Sequence, residues 1–196
     1  MRLILTLLFS LAAGLAQAKP ASLDELSAYL TGLDTVKARF VQTNSDGSKS
    51  RGTMFIKRPG RARFEYDDLE ALVVAGGGQV AVFDSLKNAS SDIFPLRRTP
   101  LNLILARNVN LRKARMVTAH GEYPGGQTVL DAQDPNNPEY GTIRLYFDRD
   151  PLALAGWVIT SETGEKTRVD FEPFQPAGNL STRMFNIPLI ERERGG

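Results

Sequence analysis

Hydrophobic residues follow two different periods along the chain, and the change near residue 34 marks the first structural boundary. Before it, leucines recur at steps of three, four and three residues, which predicts one apolar face of an amphipathic helix: Leu23, Leu26, Leu30 and Leu33. Ser22 has Glu25 three residues further on, which is the spacing of a capping box. The helix is therefore predicted to begin just after Ser22.

After residue 34 the period becomes two, which is typical of β-strands. Turn sequences such as Asp46-Gly47 and Thr163-Gly164 separate the alternating segments. Strands are predicted at 36–41, 53–57, 61–66, 72–75, 79–83, 114–119, 128–132, 142–147, 157–159 and 168–171. Because strands recur at hairpin spacing, the pattern predicts a mainly β (α+β) fold with one antiparallel sheet, curved or closed.

A second helix is predicted after Thr99, which can cap it, with Pro100 at the first helical position. Its residues are apolar on nearly every side: Leu101, Leu103, Ile104 and Leu105. Such a segment is normally buried all round, so this short helix is expected to pack inside the protein.

Residues 1–18 have the features of a secretory signal peptide. Arg2 precedes a short apolar stretch, and Ala16-Gln17-Ala18 gives the small-x-small pattern of a cleavage site. The stretch is shorter than the roughly 20 residues that a transmembrane helix needs. Residues 19–196 are then expected to form a single domain, and a periplasmic location is predicted.

Composition narrows the possible functions. The chain has no cysteine, which excludes disulfides, thiolate metal sites, a cysteine nucleophile and a lipid-modified N-terminus. Its 24 Lys and Arg residues nearly balance its 22 Asp and Glu residues, so no nucleic-acid partner is predicted. With a single histidine and no cysteine, a histidine-based zinc site is excluded, and no cofactor is expected.

Catalytic candidates are few. His120 is the only histidine, and no nucleophile-elbow pattern accompanies it, so a surface residue is the simpler interpretation. Four acidic residues lie close together in the sequence: Glu65, Asp67, Asp68 and Glu70. Two carboxylates could catalyse glycoside hydrolysis, but a charged turn at the end of a strand is the simpler interpretation.

Two further motifs have simple structural interpretations. The glycines at 76–78 are followed by a strand pattern, so they predict a hairpin tip and not a phosphate-binding loop. Four oxygen-bearing residues could bind calcium, but their spacing does not follow the calcium-loop pattern: Asp131, Asp134, Asn136 and Glu139. A solvated loop is the prediction there.

Arg58 is out of place in the alternation because it shares the parity of Met54 and Ile56. A guanidinium on an apolar face must find hydrogen-bond acceptors, since it keeps its charge. The alternative is that Arg58 lies at a strand end and reaches water. Parity alone leaves both interpretations open.

Arg58 belongs to a longer motif, Gly-Thr-Met-Phe-Ile-Lys-Arg-Pro-Gly-Arg at 52–61, followed by Arg-Phe-Glu-Tyr at 63–66. This strand pair resembles the signature of the LolA family, periplasmic carriers of outer-membrane lipoproteins. Shorter segments that agree in order lie at 40–42, 99–108, 154–157 and 164–169. The resemblance spans most of residues 19–196.

The resemblance implies an incomplete, strongly curved antiparallel β-barrel whose apolar cavity is covered by a lid of short helices. It implies that Arg58 is a latch that donates hydrogen bonds to backbone carbonyls of the lid. The residues expected to line the lipid cavity are Phe40, Met54, Ile56, Phe64, Leu101, Ile104 and Leu105.

By the same resemblance the protein is a monomeric carrier without catalytic activity. Its expected partners are acylated lipoproteins, an inner-membrane ABC-type lipoprotein-releasing complex and an outer-membrane acceptor lipoprotein. Two positions depart from the family pattern: Ala62 replaces an aromatic residue, and residues 187–196 lack the usual proline-glycine ending. Alternatives are a lipoprotein-sensing regulatory module, a binding protein for another amphiphile such as a glycolipid, and a carbohydrate-active enzyme that uses Glu65 and Asp67.

Overall fold

A computed structural model describes residues 19–83, 92–99 and 101–195 of the chain. The predicted signal peptide and Pro100 lie outside the described residues. Within the described part, no helix is both long enough and apolar enough to cross a membrane.

Helix α1 spans Leu23–Gly32 and begins as its sequence predicts. The Glu25 amide donates to the Ser22 hydroxyl (3.2 Å), and the Ser22 amide donates to the Glu25 carboxylate (2.6 Å). This capping box satisfies two amides that have no partner inside the helix. Leu26 and Leu30 are fully buried, so the leucine stripe faces the core.

Twelve strands follow among the described residues, and their order along one antiparallel sheet is β6-β5-β4-β3-β2-β1-β11-β10-β9-β8-β7, with the short β12 beside β1. Their bounds are β1 Thr35–Thr43, β2 Lys49–Lys57, β3 Ala62–Tyr66, β4 Leu72–Gly76, β5 Gln79–Phe83, β6 Asp92–Pro95, β7 Val117–Tyr123, β8 Gln127–Gln133, β9 Thr142–Arg149, β10 Leu152–Thr160, β11 Lys166–Phe171 and β12 Gln175–Pro176. Among the described residues, β6 and β7 each pair with one strand, so the sheet is not closed.

The sheet curls strongly, as two aromatic rings demonstrate. Phe64 lies on β3 and Trp157 on β10, which are four strands apart in the sheet order. In a flat sheet they would be separated by roughly 19 Å, at about 4.8 Å per strand. Their ring centroids are 5.9 Å apart. The predicted fold, an incomplete antiparallel barrel with few short helices, is confirmed.

Helix α2 spans Asn102–Leu105 and is shorter than predicted. The expected cap was wrong: Thr99 donates its hydroxyl to the Leu96 carbonyl (2.8 Å), closing the 3-10 turn Leu96–Arg98. Leu101 is the N-cap residue instead and gives no side-chain cap. The prediction that this segment is buried is confirmed, because Ile104 and Leu105 have no exposed surface.

The C-terminal segment covers the outer face of β4 and β5. It forms a 3-10 turn at Thr182–Phe185 and helix α3 at Ile187–Gly195. A second apolar cluster, separate from the main core, joins this helix to the two strands: Leu72, Val74, Ala81, Phe83, Ile187 and Ile190. The C-terminal segment therefore covers the outer face of this hairpin, a role that the sequence of residues 187–196 did not predict.

Candidate functional site

A cavity of about 660 Å³ opens between the two halves of the curled sheet, beside the segment that leads into α2. One wall comes from β3–β6 and the other from β9–β11. Its apolar lining consists of Phe64, Tyr66, Val73, Val80, Val82, Phe94, Leu101, Tyr140, Ile143, Trp157, Ile159 and Val169. An apolar cavity of this size can hold a small apolar ligand or one portion of a larger one.

The depth of the cavity follows from the exposure of its lining. Trp157 and Ile143 are buried and form its floor. Ile159 is 40 % exposed and Phe94 is 37 % exposed, so these residues mark its opening. Polar residues complete the lining: Gln42, Thr99, Glu139, Ser161, Glu162, Thr163 and Thr167. The lining therefore suits an amphiphile whose apolar part points inward.

The structure separates the residues predicted to line the cavity into two groups. Phe64 and Leu101 lie on its wall. The other five pack in the solid core next to it: Phe40, Met54, Ile56, Ile104 and Leu105. Four of those five have no exposed surface, and Phe40 is 2 % exposed. Phe40, Met54 and Ile56 lie on β1 and β2, and Ile104 and Leu105 belong to α2 itself. None of the five forms part of the present cavity wall.

Arg58 joins both helices to the sheet. Its Nη1 donates to the Leu30 carbonyl at the end of α1, and its Nη2 donates to the Ala106 carbonyl just after α2. A longer bond runs from Nη2 to the Arg107 carbonyl (3.3 Å). The carbonyls at helix C-termini lack partners within the helix, so a guanidinium is a suitable donor for them.

The surroundings of Arg58 keep it in place. Only 7 % of its surface is exposed, and its backbone amide donates to the Asp34 carbonyl (2.9 Å). Burial lowers the pKa of the Arg58 guanidinium, and the charge of Asp34 opposes this shift. An arginine remains protonated in proteins, so the charge is retained. In the same turn the Gly60 amide donates to the Leu105 carbonyl (2.8 Å), giving α2 a second attachment.

The neighbouring cations of the motif point to the opposite face of the sheet. Lys57 Nζ donates to the Leu180 carbonyl, and Arg63 Nη1 donates to the Met184 carbonyl (3.0 Å). These bonds hold the C-terminal segment on the outer face. The strand pair thus attaches helices on its inner side through Arg58 and the C-terminal segment on its outer side.

A chain of polar side chains begins in the cavity lining at Tyr66. Its hydroxyl donates to Gln42 Oε1 (2.7 Å), and Gln42 Nε2 donates to Asn44 Oδ1 (2.8 Å). Burial raises the pKa of Tyr66 to about 12, so the phenol is neutral at physiological pH.

The residues considered as catalytic candidates each contact a different partner. His120 Nε2 is hydrogen-bonded to the Ala21 carbonyl (2.6 Å). Glu65 is paired with Arg63 (2.6 Å), and Asp67 is paired with Arg39. These contacts give both carboxylates structural partners on the outside of the sheet.

The predicted calcium candidates are also engaged elsewhere. Asp131 is paired with Arg144 (2.6 Å), and Asp134 accepts the Asn136 amide (2.9 Å) as expected of a polar loop. Over residues 19–83, 92–99 and 101–195, no three His, Asp or Glu side chains are grouped as a metal site would require.

Comparison with known proteins supports the assignment suggested by the fold and by the strand-pair motif. The sequence model of the family described as "Outer membrane lipoprotein carrier protein LolA" matches residues 31–188, most of the chain. This chain belongs to the LolA family.

Curated LolA relatives align over nearly their whole length. The outer-membrane lipoprotein carrier protein of Legionella pneumophila (strain Paris) is 36 % identical over 178 residues, which cover 85 % of each chain. That of Neisseria meningitidis serogroup C is 26 % identical over 185 residues, covering 91 % of this chain and 88 % of the relative. The solved structure of a LolA superfamily protein from Nitrosomonas europaea aligns over 85 % of this chain and 98 % of its own, with 10 % identity and a TM-score of 0.45.

The sequence of this LolA chain contains signals for several further cavity residues and for α3. Val73, Val80 and Val82 alternate with residues of the outer cluster, so parity could have assigned them to the inner face. Trp157 shares the parity of Ile159, and both line the cavity. Helix α3 had a weaker signal in the sequence: within 187–194, the part of the helix whose burial is described, Ile187 and Ile190 are the buried residues.

Proposed function

We propose that the protein is a periplasmic chaperone that shields the acyl chains of lipoproteins and carries them from the inner to the outer membrane. Membership of the LolA family supports a lipoprotein carrier role. The observation on which the proposal depends is an apolar cavity beside a short buried helix that one arginine attaches to the sheet. We further propose that it acts as a monomer without catalytic activity.

The energetics explain why such a carrier needs a cavity. Exposing one methylene to water costs about 0.8 kcal/mol, so a long acyl chain costs roughly 10 kcal/mol. An acylated protein therefore does not cross an aqueous compartment unaided at a useful rate. The lining described above supplies apolar surface in place of the membrane interior.

The proposed mechanism is an exchange of contacts. In the empty protein, Arg58 holds the ends of α1 and α2, and the apolar side chains beneath them pack against one another. When cargo arrives, the helices move away and acyl chains take their place on the sheet. Met54 and Ile56, now under the helices, would then line an enlarged cavity. Because lost helix contacts offset acyl contacts, net affinity stays moderate and the cargo can be released.

The remaining partners follow from this route. We propose that an inner-membrane ABC-type complex releases the lipoprotein to this carrier, and that an outer-membrane acceptor receives it. The predicted signal peptide at 1–18 supports export to the periplasm.

A charge placed in the cavity tests the proposal directly. Ile159→Glu adds a carboxylate to the cavity lining, and Leu69→Glu adds one at a site of similar exposure outside it (40 % and 48 %). Because an ionised group is costly beside acyl chains, we expect Ile159→Glu to lose at least tenfold in binding of a radiolabelled triacylated lipoprotein. Leu69→Glu should bind like the parent protein.

Two outcomes would contradict the proposal. One is equal binding by both variants and the parent. The other is that depletion of the protein from its own cells leaves lipoproteins correctly sorted to the outer membrane. If mass spectrometry of the purified protein finds a glycolipid in place of acylated protein, the cargo class is wrong.

A further inference from the structure

The net positive charge of the chain comes from one segment that includes α2. Between Asp92 and Glu122 the sequence contains six Lys or Arg residues and no Asp or Glu: Arg97, Arg98, Arg107, Arg112, Lys113 and Arg115. The other 18 of the 24 basic residues stand against all 22 acidic residues. This segment alone therefore makes the chain net positive. We call its six cations the basic rim.

Most of the basic rim is not neutralised by neighbouring carboxylates. Arg112 is paired with Asp24 (2.5 Å), and both side chains are more than half exposed. Among the described residues, the five other cations form no ion pair. Because carboxylates do not neutralise these cations, their charges add up to a positive potential at this part of the surface.

Three of these cations line one groove. Arg97, Arg98 and Arg115 surround a recess of about 480 Å³ that Leu103 of α2 also lines. Asp134 is the acidic residue in the groove. The Asn136 amide, the Asn137 side chain and the charges of Arg98 and Arg115 lower the pKa of Asp134 against the opposing effect of burial. With Asp134 ionised, the three arginines still leave the groove with an excess of two positive charges.

Exposed apolar side chains lie directly beside the rim. Ile93 and Phe94 of the edge strand β6 are 43 % and 37 % exposed, and they lie on opposite faces of the strand, Phe94 on the cavity side. The turn that bears Arg97 and Arg98 follows at once. Phe94 and Leu101 also line the cavity. Residues 97–98 and 102–103 thus line the basic groove, whereas Thr99 and Leu101 line the apolar cavity.

We propose that the basic rim, with Phe94 beside it, docks the protein on the surface of an anionic phospholipid membrane. Docking in this way places the cavity opening against the bilayer. The inference goes beyond lipoprotein carriage and does not depend on it, because the surface belongs to the protein without cargo.

The arrangement favours a membrane over an acidic protein. A protein carboxylate is usually recognised by arginines held in a fixed, bidentate geometry. Here the five unpaired cations are distributed around α2 and most are exposed. A membrane surface responds to the number of nearby cations and accepts adjacent apolar side chains between its headgroups.

Vesicle flotation of the cargo-free protein tests the proposal. The probes are vesicles of phosphatidylglycerol and phosphatidylethanolamine, and vesicles of phosphatidylcholine alone. Each cation near an anionic surface contributes about fivefold to partitioning, so the triple variant R97Q/R98Q/R115Q should bind roughly 100-fold more weakly. The parent should bind anionic vesicles at low salt, detach at about 0.5 M salt because of screening, and ignore neutral vesicles.

The matched control is K37Q/K49Q/R51Q, which removes three exposed cations from the outer side of β1 and β2. It should bind anionic vesicles nearly as the parent does. Equal losses in both triple variants, or no binding by the parent protein, would overturn the proposal. If R97Q/R98Q/R115Q binds vesicles normally but no longer accepts lipoprotein from membranes containing the releasing complex, the rim contacts a protein instead. A lipoprotein-binding assay in detergent reports on cargo separately.

Discussion

At the scale of single residues, burial beside the cavity changes the pKa of a side chain. Tyr66 illustrates this: its hydroxyl contacts Gln42 (2.7 Å), while its ring lines the cavity and packs edge-on against Phe40 (5.2 Å between centroids). The phenol can ionise only by placing a charge in apolar surroundings, which is why its pKa is raised from 10.0 to about 12.

A pH dependence of stability follows. Below pH 10 the Tyr66 phenol is protonated in both the folded and the unfolded chain. Between pH 10 and 12 the unfolded chain loses this proton first, so the free energy of unfolding falls, by about 2–3 kcal/mol at the upper end. Urea unfolding at pH 8 and at pH 11 measures this fall in the free energy of unfolding. In Tyr66→Phe, the part of the fall that Tyr66 contributes should be absent. Tyr123→Phe, which changes an exposed tyrosine, should show the same fall as the parent protein. If the parent and both variants lose equal free energy of unfolding between pH 8 and pH 11, Tyr66 is not the group responsible.

At the scale of elements, the C-terminal segment and the hairpin β4–β5 are fitted to each other at Gly76. A Cβ atom on Gly76 would lie 1.9 Å from the Phe185 carbonyl oxygen, which is backbone and cannot move alone. A side chain there is incompatible with the present position of the Thr182–Phe185 turn.

Gly76→Ala is therefore expected to displace the C-terminal segment and to lower the free energy of unfolding by roughly 1–3 kcal/mol, the usual cost of overpacking. Urea unfolding gives the energy, and limited trypsin digestion at Arg183 and Arg192 reports the displacement. Gly121→Ala is the control, since its Cβ would meet no atom within 4 Å. Unchanged stability and digestion of Gly76→Ala would show that the segment is loosely attached.

At the scale of the whole molecule, α1 and α2 cover the inner face of the curled sheet, and few polar bonds attach them to it. Arg58 donates to carbonyls of both helices, so one side chain influences how the entire inner face is covered. Leaving a buried carbonyl without a donor costs roughly 1–3 kcal/mol. A change of that size shifts an equilibrium between closed and open forms by about 5–150-fold.

Arg58→Leu should therefore favour the open form, so that the protein still accepts lipoprotein but retains it instead of passing it on. Hydrogen exchange should also become faster at the Ala106 amide, which closes α2 by donating to Asn102 (2.8 Å). Arg58→Lys supplies one ammonium for two separate carbonyls, so its lipoprotein delivery and hydrogen exchange should be intermediate between those of the parent protein and of Arg58→Leu. Arg51→Leu, on the exposed side of β2, is the matched control. Normal delivery by Arg58→Leu would disprove the latch.

Local sequence was sufficient wherever a feature depends on neighbours in the chain. The capping box at Ser22 and Glu25 and the alternation in β2 and β9 were predicted because their causes lie within a few residues. The strand-pair motif was sufficient for the family and, through that resemblance, for the incomplete barrel. The alternating segments and turns by themselves predicted one antiparallel sheet, curved or closed.

Tertiary structure decided which residues on the inner face of the sheet line the cavity and which pack in the core with the helices. Met54 and Phe64 share the inner face of neighbouring strands, and parity cannot separate them. Met54 is buried in the core, whereas Phe64 lines the cavity, because the helices cover only part of that face. Helix α3 likewise depends on Phe83 and Val74, which are distant in sequence, so its burial became visible only in the folded chain.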